Sequence, residues 1–208
     1  MKLAIFGAAG RTGQELVDQA LERGHDVRAF DLDTLSLSHH ERLELIDGDI
    51  HDQEAVRNAI QGCDAVVSGL GITGSQSDVL TAWAENIVPA MEEEGIKRLV
   101  SLTGAGVRVK KDRPPRLVGR LIHLALKLVA GHVLEDGRRH VEVIRESELN
   151  WTIVRAPRLG SGEKRGDYRT GYLRPSHEAV MRADVAEFML DLVEDDEKYS
   201  QELPIIRY

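Results

Sequence analysis

The chain opens on Lys2-Leu-Ala-Ile-Phe6 and runs directly into Gly7-Ala-Ala-Gly-Arg-Thr-Gly13, and this stretch decides the fold. The first part has the apolar pattern of a buried strand, and the second is a glycine-rich loop. A helical pattern follows in Gln14-Glu-Leu-Val-Asp-Gln-Ala-Leu-Glu22, and a second strand is predicted over Asp26-Val-Arg-Ala-Phe30, which ends at Asp31. A strand, a glycine loop, a helix, a strand and an acid in this order build a site for the pyrophosphate of a dinucleotide.

Each part of this pattern has a physical reason. Glycines let the backbone turn tightly and approach phosphates, and the first helical turn directs unpaired N–H groups at negative charge. We therefore predict that Asp31 accepts from a ribose hydroxyl and that the loop contacts the cofactor. The predicted loop contacts are Gly7, Ala9, Gly10, Arg11, Thr12 and Gly13. The alternative is a plain strand–helix turn, because glycine also marks ordinary turns and this spacing is longer than the GxGxxG fingerprint.

Length and composition are typical of one soluble domain. The chain has 208 residues, of which 42% are hydrophobic and 30% charged, so we predict a single α/β domain over residues 1–208. A formal net charge of −8 argues against nucleic-acid binding, which needs a basic surface. The single cysteine, Cys63, excludes an internal disulfide. Because the chain opens on a strand, we expect no targeting segment and a cytoplasmic location.

Apolar runs alternate with helical patterns along the rest of the chain. This alternation predicts a Rossmann-like, doubly wound, mostly parallel β-sheet with helices on both faces. The further predicted strands are 43–46, 65–68, 98–102, 151–155 and 203–206, and the further predicted helices are 52–60, 78–94 and 183–193.

Residues 104–140 interrupt the alternation. The basic stretch Arg108–Arg116 cannot be helical across its prolines, and we interpret it as a solvated loop, with a phosphate-binding patch as the alternative. Residues 117–130 are apolar almost all round, which indicates a buried lid or a subunit contact, and they are too short to span a bilayer. We expect 104–140 and 156–180 to form the substrate side of a cleft for a small-molecule acceptor, in a monomer or small homo-oligomer.

With these motifs in place, the chain resembles the atypical short-chain dehydrogenase/reductase superfamily. More narrowly, it is similar to the NAD(P)H-binding, NmrA-like branch that includes the biliverdin reductase B/flavin reductase family. The stretches that carry the resemblance are Ile5–Gly13, Asp47–Asp49, Pro114–Leu117, Val143–Ser147 and Arg182–Ala186. The resemblance implies an NAD(P)H-dependent oxidoreductase that transfers hydride to a flavin, quinone or similar acceptor. It also leaves open a non-catalytic, NAD(P)-binding redox sensor.

The resemblance implies further cofactor contacts after two other strands. Asp49 and Ile50 follow the third predicted strand, where the family binds adenine, although a helix-capping turn is the alternative. The remaining predicted contacts follow the fourth predicted strand, on the nicotinamide ribose side. They are Gly69, Leu70 and Gly71.

Two residues favour different cofactors. Asp31 accepts from a ribose 2′-hydroxyl and repels a 2′-phosphate, which favours NAD(H). Arg11 is suited to hold a 2′-phosphate by a bidentate contact, which favours NADP(H). The related family usually has an arginine where Leu32 stands here. The balance favours NAD(H).

The usual catalytic pair of short-chain dehydrogenases is missing, because no Tyr-x-x-x-Lys occurs in the sequence. Tyr168 and Tyr172 are interpreted as substrate-loop or surface residues. The flavin reductase-like family places hydroxyl residues after its fifth strand and a histidine after its sixth. The resemblance therefore points to Thr103 and Arg158 as catalytic residues, with Arg158 orienting an anionic acceptor; a strand end and a surface ion pair are the alternatives. No metal site is expected.

Overall fold

The computed structural model describes residues 1–71, 78–114 and 131–208. The strands in these ranges are β1 (Lys2–Phe6), β2 (Asp26–Asp31), β3 (Leu43–Asp47), β4 (Ala65–Ser68), β5 (Arg98–Gly104), β6 (Asn150–Ala156), β7 (Leu159–Gly160), β8 (Arg169–Gly171), β9 (Val180–Met181) and β10 (Ile205–Arg207). The helices are α1 (Arg11–Glu22), α2 (Gln53–Ile60), α3 (Val79–Glu94), α4 (Gly131–Glu146) and α5 (Arg182–Glu194).

The main sheet has the strand order β3-β2-β1-β4-β5-β6-β10-β8. Its neighbouring strands are parallel except for β10 and β8, which form an antiparallel pair. The strand order reverses between β1 and β4, and such a switch point is where doubly wound sheets bind ligands. The predicted Rossmann-like, mostly parallel sheet is confirmed.

Helices cover both faces of the sheet, and each face has its own core. Along β1, Leu3 and Ile5 face the core that includes α1 and α5. Ala4 and Phe6 face the core that includes α2, α3 and α4. This alternation follows from the period of two residues in a strand, and full burial of both faces explains why β1 is apolar throughout.

Helix α4 fixes the start of α3. The carboxylate of Asp136 is buried and accepts from the backbone N–H of Leu80 at 3.0 Å and that of Thr81 at 2.9 Å. The Thr81 hydroxyl donates to the same carboxylate at 2.6 Å. Asp78, the residue before α3, makes no capping hydrogen bond with its side chain. A carboxylate from a neighbouring helix therefore satisfies N–H groups that a helix start leaves unpaired.

A buried ion pair holds the described part of the basic stretch. Arg155 of β6 contacts Asp112 with an Nη2–Oδ1 distance of 2.6 Å, and it also donates to the carbonyl oxygens of Val107 and Leu203. Burial alone would raise the pKa of Asp112. The hydrogen bonds from Arg155 and from the N–H of Val109, together with the charges of Arg155 and Arg108, outweigh burial and hold that pKa below its usual range. Residues 108–114 are thus anchored to the sheet.

The prediction for the apolar stretch 117–130 lies outside the described residues, as do positions 72–77. Helix α1 begins at Arg11, earlier than the predicted Gln14, because its N-cap is Gly10 inside the loop. The short strands β7, β8 and β9 were not predicted. Within the described ranges, no helix is long and apolar enough to cross a membrane.

Candidate cofactor site

A cleft of about 500 Å³ lies at the carboxyl edge of the sheet, beside the switch point between β1 and β4. The structure brings to its wall every predicted cofactor residue except Gly13. These residues are Gly7, Ala9, Gly10, Arg11, Thr12, Asp31, Asp49, Ile50, Gly69, Leu70 and Gly71. The predicted residues come from four separate parts of the chain, so the fold assembles one continuous cleft from them.

The glycine loop needs glycine at two positions for steric reasons. Gly7 has a φ of 71°, in the left-handed region that side chains disfavour. At Gly13, an added Cβ would lie 1.9 Å from the carbonyl oxygen of Gly7. Gly13 therefore permits α1 to pack closely on the loop and does not itself line the cleft. Gly10 caps α1 without a side chain, so N–H groups of the first turn have no side-chain cap.

Hydrogen bonds hold the loop rigidly against β2. The backbone N–H groups of Gly7 and Ala8 donate to the carbonyl of Phe30 at 3.0 and 3.2 Å. The side-chain amide of Gln14 donates to the carbonyl of Ala9 at 2.9 Å. A preorganised loop of this kind holds a phosphate without the cost of ordering it on binding.

Asp31 links the end of β2 to the loop. Its Oδ2 accepts from the backbone N–H of Ala9 at 2.9 Å, and its Oδ1 accepts from that of Leu32 at 2.8 Å. Each carboxylate oxygen has a second lone-pair direction, and the side chain lines the cleft. The carboxylate is thus placed to accept hydrogen bonds from a ribose.

The turn after β3 forms the next part of the wall. A Cβ at Gly48 would lie 2.6 Å from the ring of Phe30, so only glycine lets this turn pack so closely. Asp49 is exposed and accepts from the N–H of His51 at 3.0 Å. The carbonyl of Ile50 accepts from the Asn86 side chain of α3 at 2.7 Å. The turn is therefore fixed from both sides.

The loop after β4 closes against the first glycine loop. The N–H of Gly69 donates to the carbonyl of Phe6 at 3.0 Å. A Cβ at Gly69 would lie 3.1 Å from Leu16 and 3.2 Å from the nitrogen of Gly13. A Cβ built on Gly7 would lie 3.0 Å from the nearest atoms of Leu70. The two glycine-containing loops, after β1 and after β4, are therefore in contact and together form the floor of the cleft.

Arg182 is a cleft residue that the sequence did not identify as a site residue. It is the first residue of α5, is 8% exposed, and donates from Nη1 to the Ser161 hydroxyl at 3.0 Å. Burial, and then the charge of Arg11, hold the pKa of Arg182 below its usual range. The stretch Arg182–Ala186 carried the family resemblance, but only the tertiary fold shows that its arginine faces the cleft.

The far end of the cleft is apolar. Val79 and Leu102, both buried, and the half-buried Leu159 line this part. Leu159 is held there by β7, which pairs with β9 outside the main sheet. The apolar end is suited to exclude water from a planar ring.

Neither predicted catalytic residue lines the cleft. Thr103 is buried on β5 beneath α4, and its Oγ1 lies 2.9 Å from the position of a Cβ built on Gly137, with no hydrogen-bond partner among the described residues. Arg158 follows β6 and is exposed. The catalytic roles of Thr103 and Arg158 stay predictions. Their absence from the cleft wall does not favour these roles, because Leu102 and Arg182 line the cleft instead.

A buried polar pair lies near Thr103. The Oγ of Ser101 is 2.9 Å from Nε2 of His140, which is fully buried in α4. Burial lowers the pKa of His140 to about 4, and the charge of Asp136 only partly offsets this. His140 is therefore neutral at neutral pH. This pair was not predicted, because Ser101 and His140 lie on a strand and a helix that only the fold brings together.

The two late tyrosines have packing roles. The ring of Tyr168 lies 6.0 Å from that of Phe188, and the Tyr172 hydroxyl accepts from the N–H of Leu203 at 3.2 Å. Neither lines the cleft. The described residues contain no group of three His, Cys, Asp or Glu side chains arranged to hold a metal ion.

A family model described as NAD(P)H-binding matches residues 7–196. The chain is 33% identical over 132 residues to the 2-alkyl-3-oxoalkanoate reductase of Stenotrophomonas maltophilia, a match that covers 57% of this chain. The chain spans only 38% of the length of that relative.

Solved structures share the fold over the whole chain. A short-chain dehydrogenase/reductase of Veillonella parvula in complex with NADP has a TM-score of 0.82 and 20% identity, covering 100% of this chain and 94% of that one. ChuY, an anaerobillin reductase of Escherichia coli O157:H7, has a TM-score of 0.78 and 20% identity, covering 99% and 96%. At this identity the likeness shows the fold alone.

Proposed function

The chain belongs to the NAD(P)H-binding family, and we propose that it is a reductase that transfers hydride to a flavin, a quinone or a similar small acceptor. When bound, the nicotinamide supplies the hydride, so the protein has mainly to bind, orient and exclude water. The observation that carries the proposal is one cleft lined by Asp31 at the end of β2, by the glycine loop after β1 and, towards β5, by the apolar Val79 and Leu102.

Each part of the cleft has a task in this proposal. N–H groups at the start of α1 bind the diphosphate, and Asp31 accepts from the adenosine ribose. The turn at Asp49 and Ile50 borders the adenine. Val79 and Leu102 form the apolar surroundings in which a planar acceptor lies beside the nicotinamide. Similarity over 132 residues to a protein named as a reductase supports this proposal.

The cofactor preference is part of the proposal. The Asp31 carboxylate lines the cleft, and a 2′-phosphate beside it would meet a like charge. Arg11 lines the same cleft and favours a phosphate. Two hydrogen bonds fix the Asp31 carboxylate at the end of β2, so it cannot easily turn away from a 2′-phosphate. This supports NAD(H) as the preferred cofactor.

The test is a titration of the apo-protein with NADH and NADPH, followed by nicotinamide fluorescence, and then turnover with FMN, riboflavin and menadione. A matched pair of variants calibrates it. Gly13→Ala should abolish binding because its Cβ meets the Gly7 oxygen. Gly131→Ala adds a Cβ that has no atom of the described residues within 4 Å, and this variant should bind normally. Absence of binding to both cofactors at near-millimolar concentration would refute the proposal.

A second candidate function, that of a redox sensor, is suggested by the types of side chain that line the cleft. Among the described residues that line it there is no tyrosine or lysine to exchange a proton with an acceptor. This favours a protein that binds NAD(P)H as a redox sensor without turning it over. Tight cofactor binding with no oxidation of NADH or NADPH by any of the three acceptors would support this function over the reductase.

A further inference from the structure

Two arginines begin two helices at the same cleft. Arg11 is the first residue of α1, and Arg182 is the first residue of α5. Neither helix has a side-chain hydrogen bond from its N-cap residue. The helices pack together, and the Gln19 amide of α1 donates to the carbonyl of Ala183 at 3.0 Å. The cleft therefore receives two guanidinium groups and two positive helix ends from one side of the sheet.

The charge of these arginines is not balanced by carboxylates. Among the described residues, neither Arg11 nor Arg182 forms an ion pair. Glu15 lies close enough to raise the pKa of Arg182 but is outweighed by burial and by Arg11. Asp184 is near in sequence, yet its carboxylate accepts from the N–H groups of Arg165 and Gly166.

Arg182 as a residue is 8% exposed, and among the described residues its guanidinium has only the Ser161 hydroxyl as a hydrogen-bond partner. Burying a charge without an opposite charge is costly. The nearby charge of Arg11 adds to this cost. An anion between the two arginines would remove both costs. The whole chain has a formal net charge of −8, so two neighbouring arginines at one cleft contrast with the acidic character of the molecule.

We propose that Arg182 binds the diphosphate of the dinucleotide beside the glycine loop, with Arg11 contacting the same group and Ser161 orienting the Arg182 guanidinium. This rests on the proposed function. The diphosphate is favoured over an anionic acceptor because Arg182 lies near Arg11 at the start of α1, where dinucleotide phosphates bind. A planar guanidinium matches the phosphate oxygens in a bidentate contact.

The test compares Arg182→Gln with Arg145→Gln, the same change at an exposed arginine near the end of α4. Dissociation constants are measured for NADH, NADPH and ADP-ribose, which has the diphosphate but no nicotinamide. Loss of a charge-assisted contact should raise the Kd for all three about tenfold to a hundredfold in Arg182→Gln. Arg145→Gln should bind like the wild type.

The alternatives give different results. Unchanged Kd values in Arg182→Gln, with only the acceptor KM raised, would overturn the proposal and make Arg182 an acceptor residue. Lack of binding by the wild type would instead refute the proposed function. Ser161→Ala provides a second, milder variant in case Arg182→Gln does not fold; it should weaken ADP-ribose binding by a few fold, and unchanged binding there would count against the orientation of Arg182 by Ser161.

Discussion

At the scale of single residues, Asp31 combines a structural and a recognition task. Its two oxygens accept from Ala9 and Leu32, which ties the glycine loop to the end of β2. The same carboxylate lines the cleft, where we propose that it accepts from the ribose. Asparagine at this position removes the charge and keeps one of the two acceptor oxygens, so the ratio of the two cofactor affinities isolates the recognition task.

Asp31→Asn should shift the preference toward NADPH. The amide oxygen replaces only one of the two acceptors for the N–H groups of Ala9 and Leu32, a loss that affects both cofactors alike. The repulsion of a 2′-phosphate is removed for NADPH alone, so we expect the ratio of Kd(NADPH) to Kd(NADH) to fall about tenfold. Fluorescence titration with both cofactors measures it. Asp33→Asn, at an exposed neighbour outside the cleft wall, should keep the wild-type ratio. An unchanged ratio in Asp31→Asn would remove this residue from cofactor choice.

His140 makes stability depend on pH. Its pKa is lowered from 6.5 to about 4 in the folded protein, so the unfolded chain binds the proton first as the pH falls. The free energy of unfolding should therefore decrease between pH 6.5 and pH 4, by about 3 kcal/mol from this group. Urea unfolding across this range should show a smaller decrease in His140→Gln, which still hydrogen-bonds Ser101. His177→Gln, at an exposed histidine, should behave like the wild type.

At the scale of elements, α3 depends on α4 for its first turn. Asp136→Asn leaves only one acceptor oxygen for the N–H groups of Leu80 and Thr81. We expect a loss of about 1–3 kcal/mol in the free energy of unfolding. Asp78→Asn changes the residue that precedes α3 but removes no capping bond, so it should be close to neutral. Equal effects of the two substitutions in chemical denaturation would contradict the cross-helix cap.

The strands and the glycine loop could be predicted because their signals are local. Buried parallel strands are continuous apolar runs, and glycine positions follow from turn geometry. Arg182, Asp136 and the pair Ser101–His140 could not be predicted, since each acts through an element distant in sequence. The strands β7 and β9, with 2 residues each, are too short to have a periodic pattern.

At the scale of the whole molecule, cofactor binding should be visible as stability. A ligand that binds only the folded protein at 100 times its Kd stabilises it by about 2.7 kcal/mol. For a chain of this size we expect the Tm to rise by about 5–10 °C with the preferred cofactor. Differential scanning fluorimetry measures the shift, and Gly13→Ala should show none. A Tm rise in that variant equal to the wild type would indicate binding outside the cleft.

The small sheet of β7 and β9 is separate from the main sheet, and this separation has a consequence for how the protein can evolve. Its strands hydrogen-bond to each other and not to the main sheet, yet they bring Leu159 and the start of α5 to the cleft. Substitutions at Leu159 change an apolar part of the wall while β1, β2 and the glycine loop stay intact. On the proposed function, descendants of this chain could thus change the acceptor while keeping the glycine loop and Asp31.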